Sequence, residues 1–298
     1  MVKMTQEQAE KLLLDKQNIL NFLKMNSTKL FGSSEKIEVL EIKRSKNLNP
    51  TSFNLLYKLN IGQEIVSIRA STSTKFDNDY NFNVLQFLRS NGFDKGDVLV
   101  AVTGDIFKNQ LKEPMDILIV KVKLVAQGLR KIHRFQKVPF HLWPHDWSFD
   151  RNLIGQYYPE LANEVQDIRQ DIIKGLENSK TCLCHGDYQP DNLIFNNDKL
   201  TIIDWGSTTL SQKEQDLASF IIKLEVMLPE FGNEENFPIL KGIFLKEYGE
   251  YDKQLFNQFY ILYGLRILNS FAEFPDYEHA RQRMDKIYNI LNKRLHET

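Results

Sequence analysis

Cys184-His185-Gly186-Asp187-Tyr188-Gln189-Pro190-Asp191-Asn192 is the stretch on which the reading of this chain turns, together with Asp204-Trp205-Gly206 a little further on. Between them lie two short apolar runs, Leu193-Ile194-Phe195 and Leu200-Thr201-Ile202-Ile203, separated by Asn196-Asn197-Asp198-Lys199. Two such runs around a turn-rich link predict a β-hairpin. A hairpin brings the residue before its first strand beside the residue after its second, so Asn192 and Asp204 are expected to converge. The pattern is therefore an Asp, four residues, an Asn, a hairpin and then Asp-x-Gly.

That set of residue types suits phosphoryl transfer from a nucleotide. The reaction calls for one carboxylate to orient the attacking hydroxyl and accept its proton. An amide oxygen and a second carboxylate are needed to hold the Mg²⁺ that bridges the phosphates. Protein kinases carry the same spacing as H-R-D-x-x-x-x-N and D-F-G; here Gly186 stands for the Arg and Trp205 for the Phe.

His185-Gly186-Asp187-x-x-x-x-Asn192, Ile202-Ile203-Asp204-Trp205-Gly206 and Asp216-Leu217-Ala218 resemble the aminoglycoside phosphotransferase and choline kinase family of small-molecule kinases. The segment Leu129-Arg130-Lys131-Ile132-His133 is similar to one that the family ends in an apolar residue and His. The resemblance is close over about residues 125–220. It implies an α+β, two-lobed, protein-kinase-like fold, with a small antiparallel β N-lobe, a mainly helical C-lobe and a nucleotide site between them. It also implies Asp187 as the catalytic carboxylate, Asn192 and Asp204 as Mg²⁺ ligands, and ATP or GTP as donor. The usual phosphate-contacting Lys of the third strand is replaced by Arg69, whose guanidinium can still pair with phosphate. The helix Glu that orients that base corresponds to Asn81, with Asp79 nearby, and the loop Lys43–Ser52 carries no G-x-G-x-x-G. These departures leave a non-catalytic, pseudokinase-like nucleotide-binding module as the alternative. The short link from Asp204 to Asp216, with no Ala-Pro-Glu, disfavours a protein substrate.

Outward from this centre, Ile37–Ile42, Phe53–Leu59 and Ile65–Ala70 read as three antiparallel strands, and Thr5–Lys24 and Asp79–Ser90 as amphipathic helices. Val98–Val102 reads as a further strand. Leu118, Val122, Val125, Leu129 and Ile132 form a helical stripe, although alternation within Ile117–Leu124 also suits a strand. A boundary at Gly104–Pro114 divides the chain into a nucleotide-binding lobe, residues 1–108, and a lobe with the catalytic loop and acceptor site, residues 109–298.

The 298 residues are 42% apolar and 26% charged, which excludes disorder as the main state. With 38 Lys and Arg against 39 Asp and Glu, no global basic field exists to hold a nucleic-acid backbone. No apolar run approaches the roughly 20 residues needed to span a bilayer, and Met1–Lys24 lacks the apolar core of a secretory signal. A cytoplasmic enzyme with a nucleotide and a small-molecule partner is expected, with no nucleic acid and no membrane.

Cys182 and Cys184 are too close in sequence for an easy disulfide. The sequence offers no cluster to complete a metal site around them, so they read as core residues of a strand. His185 reads as a support of the loop, Asp216 as the cap of the helix starting Leu217-Ala218, and His141 and His145 as loop residues around Pro144. The C-terminal aromatics, among them Tyr260 and Tyr263, read as core rather than as a cage for a cation held by Glu225 or Glu230. The acceptor expected is an aminoglycoside-like polyol, otherwise an amino alcohol or a sugar.

Overall fold

A computed structural model describes residues 15–25, 37–45, 54–61, 64–71, 105–139, 142, 151–161, 180–273, 275 and 280–296. Helix α1 (Lys16–Met25) begins where the Asp15 carboxylate accepts the Gln17 amide at 2.8 Å, an N-cap interaction. Strands β1 (Ile37–Ser45), β2 (Asn54–Ile61) and β3 (Glu64–Ser71) form an antiparallel sheet in that order. The β2–β3 hairpin closes at Ile61↔Glu64, a tighter turn than the five-residue link expected. β1 runs through Ser45, so Lys43 and Arg44 are strand residues rather than the start of a loop. The expected helix at Asp79–Ser90, the strand at Val98–Val102, Asn81, His141 and His145 lie outside the described residues.

The remaining elements build one apolar core. β4 (Asp105–Ile106) pairs with β6 (Leu193–Asn196), and β6 pairs with β7 (Lys199–Ile202) in the expected hairpin. The turn is shorter than the four-residue link, because Asn196 pairs with Lys199 and Asn197 takes a positive φ of 54°, which Asn tolerates. After β4 the chain buries Phe107 completely, edge-on to Phe195 at 5.4 Å. Burying one Phe stabilises by about 1.5–3 kcal/mol.

Helix α2 (Met115–Ile132) resolves the ambiguity over Ile117–Leu124 in favour of helix. Leu118, Val122, Val125, Leu129 and Ile132 are all fully buried, and their spacing of three and four forms a single stripe. Pro114 precedes its first turn, where a missing amide costs nothing. After α3 (Arg151–Tyr157) come β5 (Cys182–Cys184) and β8 (Thr209–Ser211), paired with each other.

Helix α4 (Glu214–Met227) is buried along almost its whole length, as a helix apolar on most sides must be. α5 (Phe237–Tyr248), α6 (Lys253–Glu273) and α7 (Ala280–His296) pack around it. Among the described residues no helix is long and apolar enough to cross a membrane.

Candidate active site

β5 delivers the chain into His185-Gly186-Asp187. Gly186 has φ +79°, and a Cβ there would lie 1.9 Å from the Ser207 carbonyl oxygen. The loop therefore crosses the Ser207 backbone at a distance only glycine allows.

One carboxylate holds this loop in shape. Asp216, fully buried, accepts the His185 amide at 2.6 Å and the Gly186 amide at 2.8 Å, and it faces His133 Nε2 at 3.1 Å. Burial pushes its pKa up. The hydrogen bond and charge of His133, the charge of His185 and the Gly186 amide outweigh burial and hold it below the usual carboxylate range. The expected cap is corrected here: Asp216 lies in the first turn of α4 and satisfies loop amides, not the orphan amides of its own helix. The chain folds so because two buried N–H groups without partners would each cost about 1–3 kcal/mol.

His185 supports the loop, as its sequence context suggested. Its Nε2 donates to the Ile203 carbonyl at 2.9 Å, and its Nδ1 accepts the Asp187 amide at 3.3 Å. Trp205 packs on the ring at 4.7 Å. The Tyr188 hydroxyl donates to the Val125 carbonyl at 2.8 Å, and the Tyr263 hydroxyl donates to the Gly186 carbonyl at 2.9 Å. Helices α2 and α6 thus fasten the loop from either side.

Asp187 is half-buried. Its Oδ2 accepts the side-chain amides of Gln189 at 2.9 Å and Asn192 at 2.9 Å; Oδ1 receives neither bond. Asn192 Nδ2 also donates to the Asp187 carbonyl at 2.8 Å, which leaves Oδ1 as the acceptor atom of that amide. Asn192 accepts the Ile203 amide on its main-chain carbonyl at 3.0 Å, so the hairpin brings Asn192 to the residue before Asp204. Asp204 is exposed and left-handed, with φ 63° and ψ 60°, a conformation Asp adopts more readily than most residues. It sits at the start of the Trp205–Ser207 turn. Arg69 lies on β3, its Cα paired with that of Leu56.

Lys223, on α4 two turns beyond Asp216, was not singled out in the sequence. Loss of hydration lowers the pKa of its ammonium, the charges of Asp187 and Asp191 raise it, and those of Arg266 and Lys108 lower it. Its position in the field of Asp187 was readable in one respect only: seven residues return a helix to the same face. Glu225 and Glu230, the carboxylates of the rejected cation cage, are occupied by the Tyr260 hydroxyl and by Arg283 at 3.1 Å.

Residues 121–237, which include every one of these loop residues, match the phosphotransferase enzyme family. The match falls on the stretch that carries the loop and the hairpin. Among curated protein sequences none matches this chain. Several solved structures share the fold of this chain. A choline kinase from Cryptosporidium parvum Iowa II superposes with TM-score 0.61 at 14% identity, covering 95% of this chain and 97% of that one. A choline kinase from Streptococcus pneumoniae gives 0.56 at 16% identity, covering 92% and 99%. An amicoumacin kinase in complex with AMP-PNP and Ca²⁺ gives 0.62 at 11% identity, covering 97% and 96%. The chain thus has the α+β, two-lobed, protein-kinase-like fold that the resemblance implied.

Proposed function

We propose that this phosphotransferase moves the terminal phosphoryl group of ATP, or of GTP, to a hydroxyl of a small molecule. The observation that carries the reading is the carboxylate of Asp187, pinned through Oδ2 by Gln189 and Asn192. A carboxylate fixed on one oxygen presents the other in a constant direction, which is what orienting an acceptor hydroxyl in line requires. In this reading Asp187 Oδ1 accepts the hydroxyl proton, and Lys223 supplies positive charge beside the oxygens that gain charge.

The donor set fits Mg²⁺: the Asn192 amide oxygen and the Asp204 carboxylate are hard oxygen ligands, near each other through the Asn192–Ile203 hydrogen bond. A Mg²⁺ ion held by these two residues would supply positive charge to offset that of the phosphates. Arg69 pairs with phosphate. Residues 1–108 form the nucleotide lobe, residues 109–298 the lobe with the catalytic loop and acceptor site, and the enzyme works in the cytoplasm. The acceptor is an aminoglycoside-like polyol, or otherwise an amino alcohol or sugar; choline and amicoumacin kinases among the structural neighbours support that range.

The test is phosphoryl transfer from radiolabelled ATP and GTP to a panel of these acceptors, with Asp187→Ala alongside. Transfer falling about 10²–10⁴-fold in the variant is expected; undiminished transfer sinks the assignment.

A further inference from the structure

The two cysteines lacked a third ligand in the sequence, and the fold supplies it. Cys182 and Cys184 project from the same face of β5, as residues two apart on a strand do. Both are buried free thiols, with their sulfurs 3.9 Å apart. His133 arrives from the C-terminal end of α2, and the Leu183 amide bonds the Phe135 carbonyl at 2.6 Å, tying β5 to the segment just after it. One ligand atom from each of His133, Cys182 and Cys184 lies within 4.8 Å of the others.

The histidine is already set up as a ligand. Its Nε2 donates to the Asp216 carboxylate at 3.1 Å, which leaves Nδ1 as the atom a metal would take. A carboxylate behind the far nitrogen is the usual outer support of a metal-bound imidazole. Nδ1 lies 2.7 Å from the Tyr248 hydroxyl. The phenol oxygen therefore borders the cluster at its histidine ligand atom. Three donors thus converge, two sulfurs and one nitrogen, with a phenol oxygen beside the nitrogen.

Size and charge both agree with a metal. Zinc–thiolate bonds of about 2.3 Å at tetrahedral angles put two sulfurs about 3.8 Å apart, against 3.9 Å here. Sulfur and imidazole donors select a thiophilic ion and not Mg²⁺, which takes oxygen, so this cluster is chemically distinct from the Asn192–Asp204 pair. Binding a divalent ion forms two metal–sulfur bonds and releases two thiol protons to solvent, with no change of oxidation state. The ion and the two thiolates cancel, which suits a buried position. Without metal, the Cys184 thiol donates to the Gln212 carbonyl at 3.3 Å, a weak bond to give up.

We propose that Cys182, Cys184 and His133 Nδ1, with the Tyr248 hydroxyl as fourth donor, form a site for a thiophilic divalent metal ion such as Zn²⁺, coupled through Asp216 to the catalytic loop. The coupling follows from shared atoms: Asp216 Oδ2 holds both His133 and the His185 amide.

The test is equilibrium dialysis of the full reduced chain against Co²⁺ alone, read by absorbance, then against Zn²⁺. One bound equivalent with thiolate-to-metal charge-transfer bands and tetrahedral d–d bands, displaced by Zn²⁺, is expected. Cys182→Ser and Cys184→Ser should each diminish the charge-transfer band and weaken binding at least about tenfold. If either serine variant fails to fold by circular dichroism, Tyr248→Phe serves in its place, keeping the sulfur bands while altering the d–d bands. Absence of a charge-transfer band in the wild-type chain, or one unchanged in the folded cysteine variants, overturns the site. Zn²⁺ should also slow hydrogen exchange at the His185 and Gly186 amides about tenfold; metal bound with exchange unchanged overturns the coupling. Neither readout depends on phosphoryl transfer.

Discussion

Gly186 and Gly264 are both points where two segments approach too closely for a side chain, yet they differ in what they meet. A Cβ on Gly186 would strike the Ser207 carbonyl oxygen at 1.9 Å, on a backbone already at φ +79°. A Cβ on Gly264 would meet the ends of Leu291 and Ile222, at 2.4 and 2.9 Å. The first contact is backbone on backbone, with the loop's amides fixed by Asp216. The second is backbone against movable apolar side chains, where α6 crosses α7 and α4. The Asp187 loop is therefore defined by directional polar bonds, which fail all at once. The helical side is defined by packing, which yields by degrees.

Breaking the polar side at its centre should have the largest effect. Asp216→Ala removes the partner of two buried amides and of His133, and it is expected to cost about 3–5 kcal/mol in denaturant unfolding, with phosphoryl transfer lost. A loss below about 1 kcal/mol would show that the loop does not depend on this carboxylate. Next comes Gly186→Ala. Left-handed strain of about 1–2 kcal/mol adds to a backbone collision of about 1–3 kcal/mol, and activity should fall even at temperatures where the variant remains folded.

Gly264→Ala sharpens the contrast. Leu291 and Ile222 can turn aside, so about 1–3 kcal/mol of stability is lost while transfer per folded molecule is unchanged. Equal losses of activity in the two glycine variants would erase the distinction between the sides. The smallest effect is expected from Tyr263→Phe, which removes the hydroxyl bonded to the Gly186 carbonyl. It should lower stability by about 1 kcal/mol, and its effect on transfer measures how far α6 steadies the loop.

Much of the site was legible because it is local. Asp187 and Asn192 lie within one turn of chain, and the hairpin that brings Asn192 towards Asp204 announces itself by two apolar runs around Asn197-Asp198. The α2 stripe was legible too, once burial of Leu118 through Ile132 on one face decided between helix and strand. Other features were hidden for a common reason. The meeting of His133 with Cys182 and Cys184 and the bonds from Asp216 to loop amides join residues from separate elements, and no periodicity encodes them. Asp216 was misread because an Asp at the start of a helix is so often its cap; only the nearby buried amides of His185 and Gly186 gave it another use.

What the sequence by itself determined is the chemistry available and the local conformation. An Asp and an Asn at fixed spacing before a hairpin, a glycine where the chain must turn left-handed, and apolar stripes with helical or strand period all depend on neighbours along the chain. What only the tertiary structure decided is which of these groups meet. Apolar burial sets how α2, α4 and β5 pack, and that packing makes one buried carboxylate the common partner of a histidine and two loop amides. Hydrophobic attraction is roughly proportional to area and has no direction, so it is the requirement that every buried polar group find a partner that turns a packed core into a particular site.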